Sequence, residues 1–294
     1  MKRTRLAATV AALFGLAVSG AAWASHASRQ RAPSLIFPVR VCAERGRVVV
    51  ADSVAKCLFV WNGRSRRARV IPLEGKPLGL AVSRRPRLLL VGNATHGRVD
   101  CYSLGGRFLG SLKSPVGLPQ GIAVADAEKL VFVTDAADHT VKVFDLRSRA
   151  LKRQFGGYGG GPGEFNYPSG IAYDPARGRV VVADLMNRRL QVFDIHGNWI
   201  RSITRGGARP MVRPQGVAVD RAGNIYVADS LWAGVYVFDA EGEPLDVLGE
   251  YGAGRDQVRT PLDVEVLPGG NVLVADYTNR RVTRFPPPAL GGVQ

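Results

Sequence analysis

The chain has 294 residues, 46% of them hydrophobic and 22% charged, a globular balance that excludes intrinsic disorder. Its 35 glycines follow no strict triplet, which excludes a collagen-like chain. The formal charge is +16, and 33 of the 40 basic residues are Arg, a skew that codon bias in a GC-rich genome can produce by itself. Three cysteines are too few for a disulfide framework and are expected as buried free thiols.

Taken in chain order, the first segment reads as an address. Lys2, Arg3 and Arg5 precede an apolar, Ala-rich stretch from Leu6 to Trp23, and Ala22-Trp23-Ala24 gives a small-x-small pattern ahead of Ser25. This predicts an export signal over residues 1–24 followed by a linker over 25–33, with an uncleaved membrane anchor as the alternative. Export places the chain in the periplasm or outside the cell. Nucleic acid is then a poor candidate partner despite the charge.

From there onward one unit recurs six times. Its copies centre on Val-Val-Ala-Asp52, Leu-Val-Gly-Asn93, Phe-Val-Thr-Asp135, Val-Val-Ala-Asp184, Tyr-Val-Ala-Asp229 and Leu-Val-Ala-Asp276. An aliphatic residue follows six positions after each Asp or Asn, and an aromatic nine positions after. Upstream stand Pro38, Pro77, Pro119, Pro168, Pro214 and Pro261, four of them in Pro-x-Gly. The spacing between copies is 41 to 49 residues. Short runs of Val, Ile and aromatics broken by Gly, Asp and Asn are strands and turns, about four strands per unit. One such sheet cannot bury both faces, whereas radial packing buries each against a neighbour. The reading is an all-β, six-bladed β-propeller of four-stranded antiparallel blades over residues 34–290, with 291–294 as a tail.

The segment Pro168-Ser-Gly-Ile-Ala-Tyr-Asp174 with Val-Val-Ala-Asp184-Leu-Met-Asn187-Arg-Arg189-Leu-Gln-Val-Phe193 resembles the NHL repeat, as does the linker Phe155-Gly-Gly-Tyr-Gly-Gly-Gly-Pro-Gly-Glu-Phe165. The resemblance covers nearly all of the chain after the signal and is sharpest in repeats three to six. It implies a structural role for the repeated Asp, as acceptor in the turn between the second and third strands. It also implies a flexible glycine linker between blades. Pro286, Pro287 and Pro288 cannot sustain an outer strand for the sixth blade. Ser34-Leu35-Ile36-Phe37 is therefore expected to supply it and close the ring.

Candidate sites are few. Some NHL-like propellers resemble amidating lyases, whose axial zinc needs several His. Here the propeller has His96, His139 and His196, of which the third falls at the opposite end of its blade, so no tetrahedral site and no cofactor is expected. Six-bladed lactonase-like enzymes need acidic groups converging on the axis, and only Asp263 and Glu265 offer that, with Arg40 at the equivalent point of the first repeat. Arg40, Asp263 and Glu265 are read either as an ion pair locking the closing seam or as a polar mouth for a small ligand.

The turns after each repeated Asp differ between copies, as a recognition surface would. His96, His139, Asn187, Arg188, Trp232, Tyr277 and Arg280 are the partner-binding candidates, with Trp232 and Tyr277 foremost because the repeat does not require them. Arginine clusters at Arg64, Arg66, Arg67 and Arg69 and at Arg84, Arg85 and Arg87 read as solvated faces able to attract anionic surfaces, a membrane among them. The expectation is an exported, monomeric, non-enzymatic scaffold whose partner is an envelope or secreted protein or an anionic polysaccharide. A lactonase- or lyase-like enzyme centred on Arg40, Asp263 and Glu265 is the alternative.

Overall fold

The computed structural model describes residues 34–63, 67–206 and 209–289; the expected export signal, linker and 291–294 tail lie outside them. Every regular element is a strand, and every blade is a simple antiparallel meander. The six inner strands are Pro38–Glu44, Pro77–Arg84, Pro119–Ala125, Pro168–Asp174, Pro214–Val219 and Pro261–Val266. Second strands end on the repeated residue: Arg47–Asp52, Arg87–Asn93, Leu130–Asp135, Arg179–Asp184, Ile225–Asp229 and Val272–Asp276. The third strands are Cys57–Asn62, Arg98–Ser103, Thr140–Asp145, Arg189–Asp194, Gly234–Phe238 and Arg281–Phe285. Five outer strands follow, Arg69–Pro72, Phe108–Ser111, Leu151–Gly156, Trp199–Ile203 and Pro244–Leu248.

Each inner strand begins at Pro because that position needs no ladder donor, and Pro pairs across with the repeated Asp or Asn in all six blades. The register slips beside this pair in every blade, which frees the following one or two residues from the ladder and turns them toward the axis. There the inner strands press backbone to backbone. A Cβ at Gly170 would lie 2.3 Å from the Gln215 carbonyl oxygen, so the Pro-x-Gly glycine is a packing requirement.

Alternate residues of each strand point to opposite neighbours, and the buried side chains fall into six clusters, one per blade–blade interface. Val49 and Ala51 pack toward the second blade, while Val50 packs toward the sixth. Among the described residues the closing interface has six buried residues where the others have 11 or 12.

That closure differs from the expected one. Residues 34–37 form no strand, and the sixth blade has three strands among the described residues. The Ile36 and Phe37 N–H groups donate to Asp52 Oδ2 at 2.6 and 2.8 Å, so they are bound to the first blade's turn and cannot enter a ladder on the sixth. Leu35 packs on the closing core instead, and the Phe37 ring stacks on Tyr277 with centroids 4.4 Å apart. The apolar run closes the ring by side-chain contact.

The repeated carboxylate holds the turn as expected and also holds the incoming linker. Asp135 accepts from the N–H groups of Ala137 in the turn and of Gly117 and Leu118 ahead of the next-to-pair inner strand. Asp229 and Asp276 repeat this with Val212 and Leu231, and with Arg259 and Asn279. Seven residues downstream stands a matching partner. Lys142 reaches Asp135 at 2.6 Å, Gln191 reaches Asp184 at 3.2 Å, and where the repeat has Asn93 the partner is Asp100 at 2.8 Å. Burial works to raise the Asp135 carboxyl, but Lys142 and these N–H donors hold it below its ordinary value.

The glycine linker is held rather than flexible. The Arg189 guanidinium donates to the carbonyls of Gly160, Gly161 and Glu164 while its Nε donates to Asp184 at 2.8 Å. Asp184→Ala removes the acceptor of the Asn166 N–H and strands a buried guanidinium, so a stability loss of about 3 kcal/mol is expected in denaturant titration. The residue four after the repeated Asp or Asn is left-handed in all six blades, with φ from +49° to +61°, yet only Gly97 is glycine there. Arg188, exposed at φ +56°, carries that strain with its main-chain N–H donating to the Leu185 carbonyl at 3.3 Å, while its guanidinium makes no bond among the described residues. Arg188→Gly is therefore expected to stabilise the fold by about 1 kcal/mol while Arg188→Ala does not, measured by the same titration.

Candidate functional site

Antiparallel order puts two kinds of connection at the two ends of the ring. The Asp turns and the linkers into each Pro-led strand share one end, the Asp-turn end. The hairpins between first and second and between third and fourth strands share the other, the hairpin end.

Arg40, Asp263 and Glu265 do meet, where the sixth blade faces the first. Arg40 reaches further than a seam pair. Its Nε and Nη2 donate to the Gln120 carbonyl at 3.1 and 2.8 Å, and its Nη1 donates to the Leu262 carbonyl at 2.9 Å. Gln120 belongs to the third blade and Leu262 to the sixth, which stand opposite each other in a ring of six. The guanidinium, with 7% of the side chain exposed, thus spans the axis. Gln120 extends the bridge by donating to the Tyr167 hydroxyl at 2.9 Å. The contact from Arg40 Nη1 to Asp263 is 3.8 Å, longer than the carbonyl bonds, so the main-chain oxygens are the firmer partners.

The two carboxyls act on the neighbouring backbone. Asp263 Oδ2 accepts from Val41 N–H at 2.9 Å, and Glu265 Oε1 accepts from Ala43 N–H at 3.3 Å. They stand in for the ladder that the two facing inner strands do not form. Burial pushes Asp263 up to about 6 against the pull of Arg40 and the N–H donors, leaving it ionised at neutral pH. Burial, then the Asp263 charge, pushes Glu265 up to about 8, so it is protonated at neutral pH. The Cys42 thiol, packed on the neighbouring interface of the first and second blades, is driven well above its ordinary value by burial first and Glu265 next. Cys42, Cys57 and Cys101 are all buried and free. Among the described residues no group of three or more His, Cys, Asp or Glu is arranged to hold a metal ion.

The Asp-turn end gathers the other candidates, and most of their polar atoms are already engaged. His139 Nδ1 accepts from Tyr167 N–H at 2.9 Å, and its ring meets Tyr158 edge-on. Asn187 donates to Gly159 and Asp184, and Trp232 Nε1 donates to the Pro210 carbonyl at 3.0 Å. Tyr277 and Arg280 sandwich Phe37, the guanidinium 5.4 Å from the ring centre. Both serve closure. His96, Arg188, Trp232 and Arg280 stay exposed.

Sequence reasoning missed a set of exposed apolar side chains at this end. Met186 (53% exposed) and Leu231 (63%) sit two residues after their repeated Asp, where Val54 stands in the first blade. Tyr158 and Tyr251 (72% each) rise from the linkers, and Trp232 (41%) stands beside Leu231. Aligning the repeats at that second position was the available signal, since the turn asks nothing apolar there. The remaining large exposed apolar residues lie on outer strands or, as with Ile36, on the closing segment.

A raised carboxyl has a definite consequence for stability. The folded chain keeps a proton on Glu265 that the unfolded chain releases near 4.5, so this residue's contribution declines as pH rises from there to about 8 and is level above. Thermal unfolding between pH 5 and pH 8.5 should show wild type losing stability relative to Glu265→Gln, with a slope of at most about 1.4 kcal/mol per pH unit. An identical pH dependence in both proteins would show Glu265 ionising freely.

Comparison with known proteins agrees with the architecture. A family model described as a 6-bladed beta-propeller (DUF5128) matches residues 115–205. Protein brain tumor of Drosophila melanogaster is 28% identical over 131 residues, 45% of this chain but 12% of that protein's length. Among solved structures, a structural genomics protein of unknown function from Bacteroides thetaiotaomicron superposes with a TM-score of 0.69 at 13% identity, covering 86% of this chain and 70% of that one. Kuenenia stuttgartiensis hydrazine synthase superposes with a TM-score of 0.64, also at 13% identity, covering 90% of this chain and 99% of that one. At such identity the structural likenesses speak to fold alone, and together the comparisons support a six-bladed β-propeller.

Proposed function

We propose that this chain is an exported, non-enzymatic scaffold of NHL-repeat type that presents its Asp-turn end to a protein of the cell envelope. The observation that carries this reading is the exposure of Met186, Leu231, Trp232, Tyr158 and Tyr251 on the linkers and turns of one end. Large apolar side chains on ordered turns form binding centres with the backbone entropy already met in folding, which leaves only their own rotamers to be fixed on binding. Arg188 beside Met186 adds a cation to the face, which also suits an acidic partner. The export step rests on the basic, apolar and small-x-small pattern of residues 1–24.

The enzyme reading has less support. Arg40, Asp263 and Glu265 bond main-chain groups of three blades and leave the seam bridged. A photo-crosslinking residue at Met186 or Leu231 should give one discrete protein adduct in cells, and the same residue at Val70 or Phe108 on outer strands should give none. Equal labelling from both sets, or none from Met186 and Leu231, would remove this end as the binding face.

A further inference from the structure

At the hairpin end a second site is built between the first and second blades. The hairpin joining Pro38–Glu44 to Arg47–Asp52 stands beside the one joining Pro77–Arg84 to Arg87–Asn93, and a cavity of about 150 Å³ opens between them. Its floor is apolar, formed by Val49, Val60 and Leu89, all buried, with Val82 and Leu104 on the walls. Its mouth is Arg45, Arg47, Arg84 and Arg87. The mouth continues into an open cleft of about 680 Å³ that adds Arg85 and Arg147. Six arginines therefore surround one opening, and Glu44 is the single carboxylate among the lining residues.

The nearby carboxylates are spent on positioning. Glu44 accepts from Arg84 Nε at 2.9 Å and lies 3.4 Å from Arg45 Nε. Asp126 of the third blade accepts from Ser83 Oγ at 2.8 Å, Arg84 N–H at 3.0 Å and Arg85 N–H at 3.4 Å. The second-blade hairpin is thus clamped from both sides. Among the described residues Arg47, Arg85, Arg87 and Arg147 have no carboxylate within ion-pair distance. Like charges gathered over a dry floor repel unless an anion joins them, and guanidinium forks match phosphate oxygens in pairs.

We propose that this cavity binds a phosphate ester carrying a short apolar group, with the phosphate held by Arg85, Arg87 and their neighbours and the apolar group on Val49, Val60 and Leu89. The same chemistry is offered by a soluble organic phosphate and by a phospholipid headgroup with its first methylenes. The site lies at the end of the ring opposite the proposed protein-binding face, so both can be filled at once.

The test is calorimetric titration of the full chain with hexyl phosphate, inorganic phosphate and hexanol. Hexyl phosphate should bind one per chain, about tenfold or more tighter than inorganic phosphate, and hexanol should not bind. Arg85→Glu with Arg87→Glu, both exposed and free of ion pairs, should weaken hexyl phosphate about tenfold or more, whereas Arg221→Glu on the fifth blade's hairpin should not. Phosphatidylglycerol vesicles then separate the sources. Vesicles that displace hexyl phosphate point to a lipid headgroup, and vesicles that leave it bound point to a soluble ester. Hexyl phosphate no tighter than inorganic phosphate, equal weakening by Arg221→Glu, or vesicle binding without hexyl phosphate binding would each overturn the site.

Discussion

The structure depends on one bond pattern, a buried carboxylate in the second turn of five of the six blades that grips the main chain leading into that blade's inner strand; the second blade has Asn93 there. Asp135, Asp184, Asp229 and Asp276 each accept N–H groups from residues 16 to 18 positions upstream as well as, in Asp135, Asp229 and Asp276, from their own turn. A β-sheet has no means of its own to orient the next sheet. These acceptors supply it, because an anion buried at 0 or 1% exposure must find donors, and the linker provides them. The left-handed residue four positions on is the conformational cost of that turn.

The seam between sixth and first blades has no linker to be gripped, and it is where the repeat changes composition. Its apolar core is smaller among the described residues, and Arg40, Asp263 and Glu265 replace the Gly and Ala of the other copies. Side-chain acceptors for Val41 and Ala43, a guanidinium across the axis and a Phe37–Tyr277 stack take over the closing role. Polar residues at the axis of a propeller invite a catalytic reading. Here their hydrogen bonds end on main-chain groups of three blades and tie the closing seam together.

The two ends of the ring differ in kind. One displays Met186, Leu231, Trp232 and tyrosines on short turns, while the other surrounds an apolar recess with arginines. A rigid ring lets these surfaces diverge independently, since the interfaces that hold the blades lie between them. The arginines at Arg84, Arg85 and Arg87 read in sequence as a solvated cluster. Only the meeting of two hairpins, with Asp126 of a third blade beneath, makes them the rim of a recess.

The repeat, its strand pattern and the turn role of the repeated Asp follow from the sequence alone, because they are local: turn chemistry and alternation recur at fixed offsets and need no partner. The blade count follows for the same reason. Tertiary structure decided what happens where repeats meet. Residues 34–37 have the composition of a strand, yet Asp52 claims their N–H groups first. Tyr277 and Arg280 stand alone in a list of turns, yet in the fold Phe37, some 240 positions away in sequence, stacks on the first ring and lies 5.4 Å from the second's guanidinium. The glycine linker looks mobile until Arg189 is seen holding its carbonyls. Arg40 bridges blades three and six only because the ring brings Gln120 and Leu262 to opposite sides of one axis. Periodicity specifies each blade, whereas which side chains are free to bind depends on long-range contacts that no local pattern encodes.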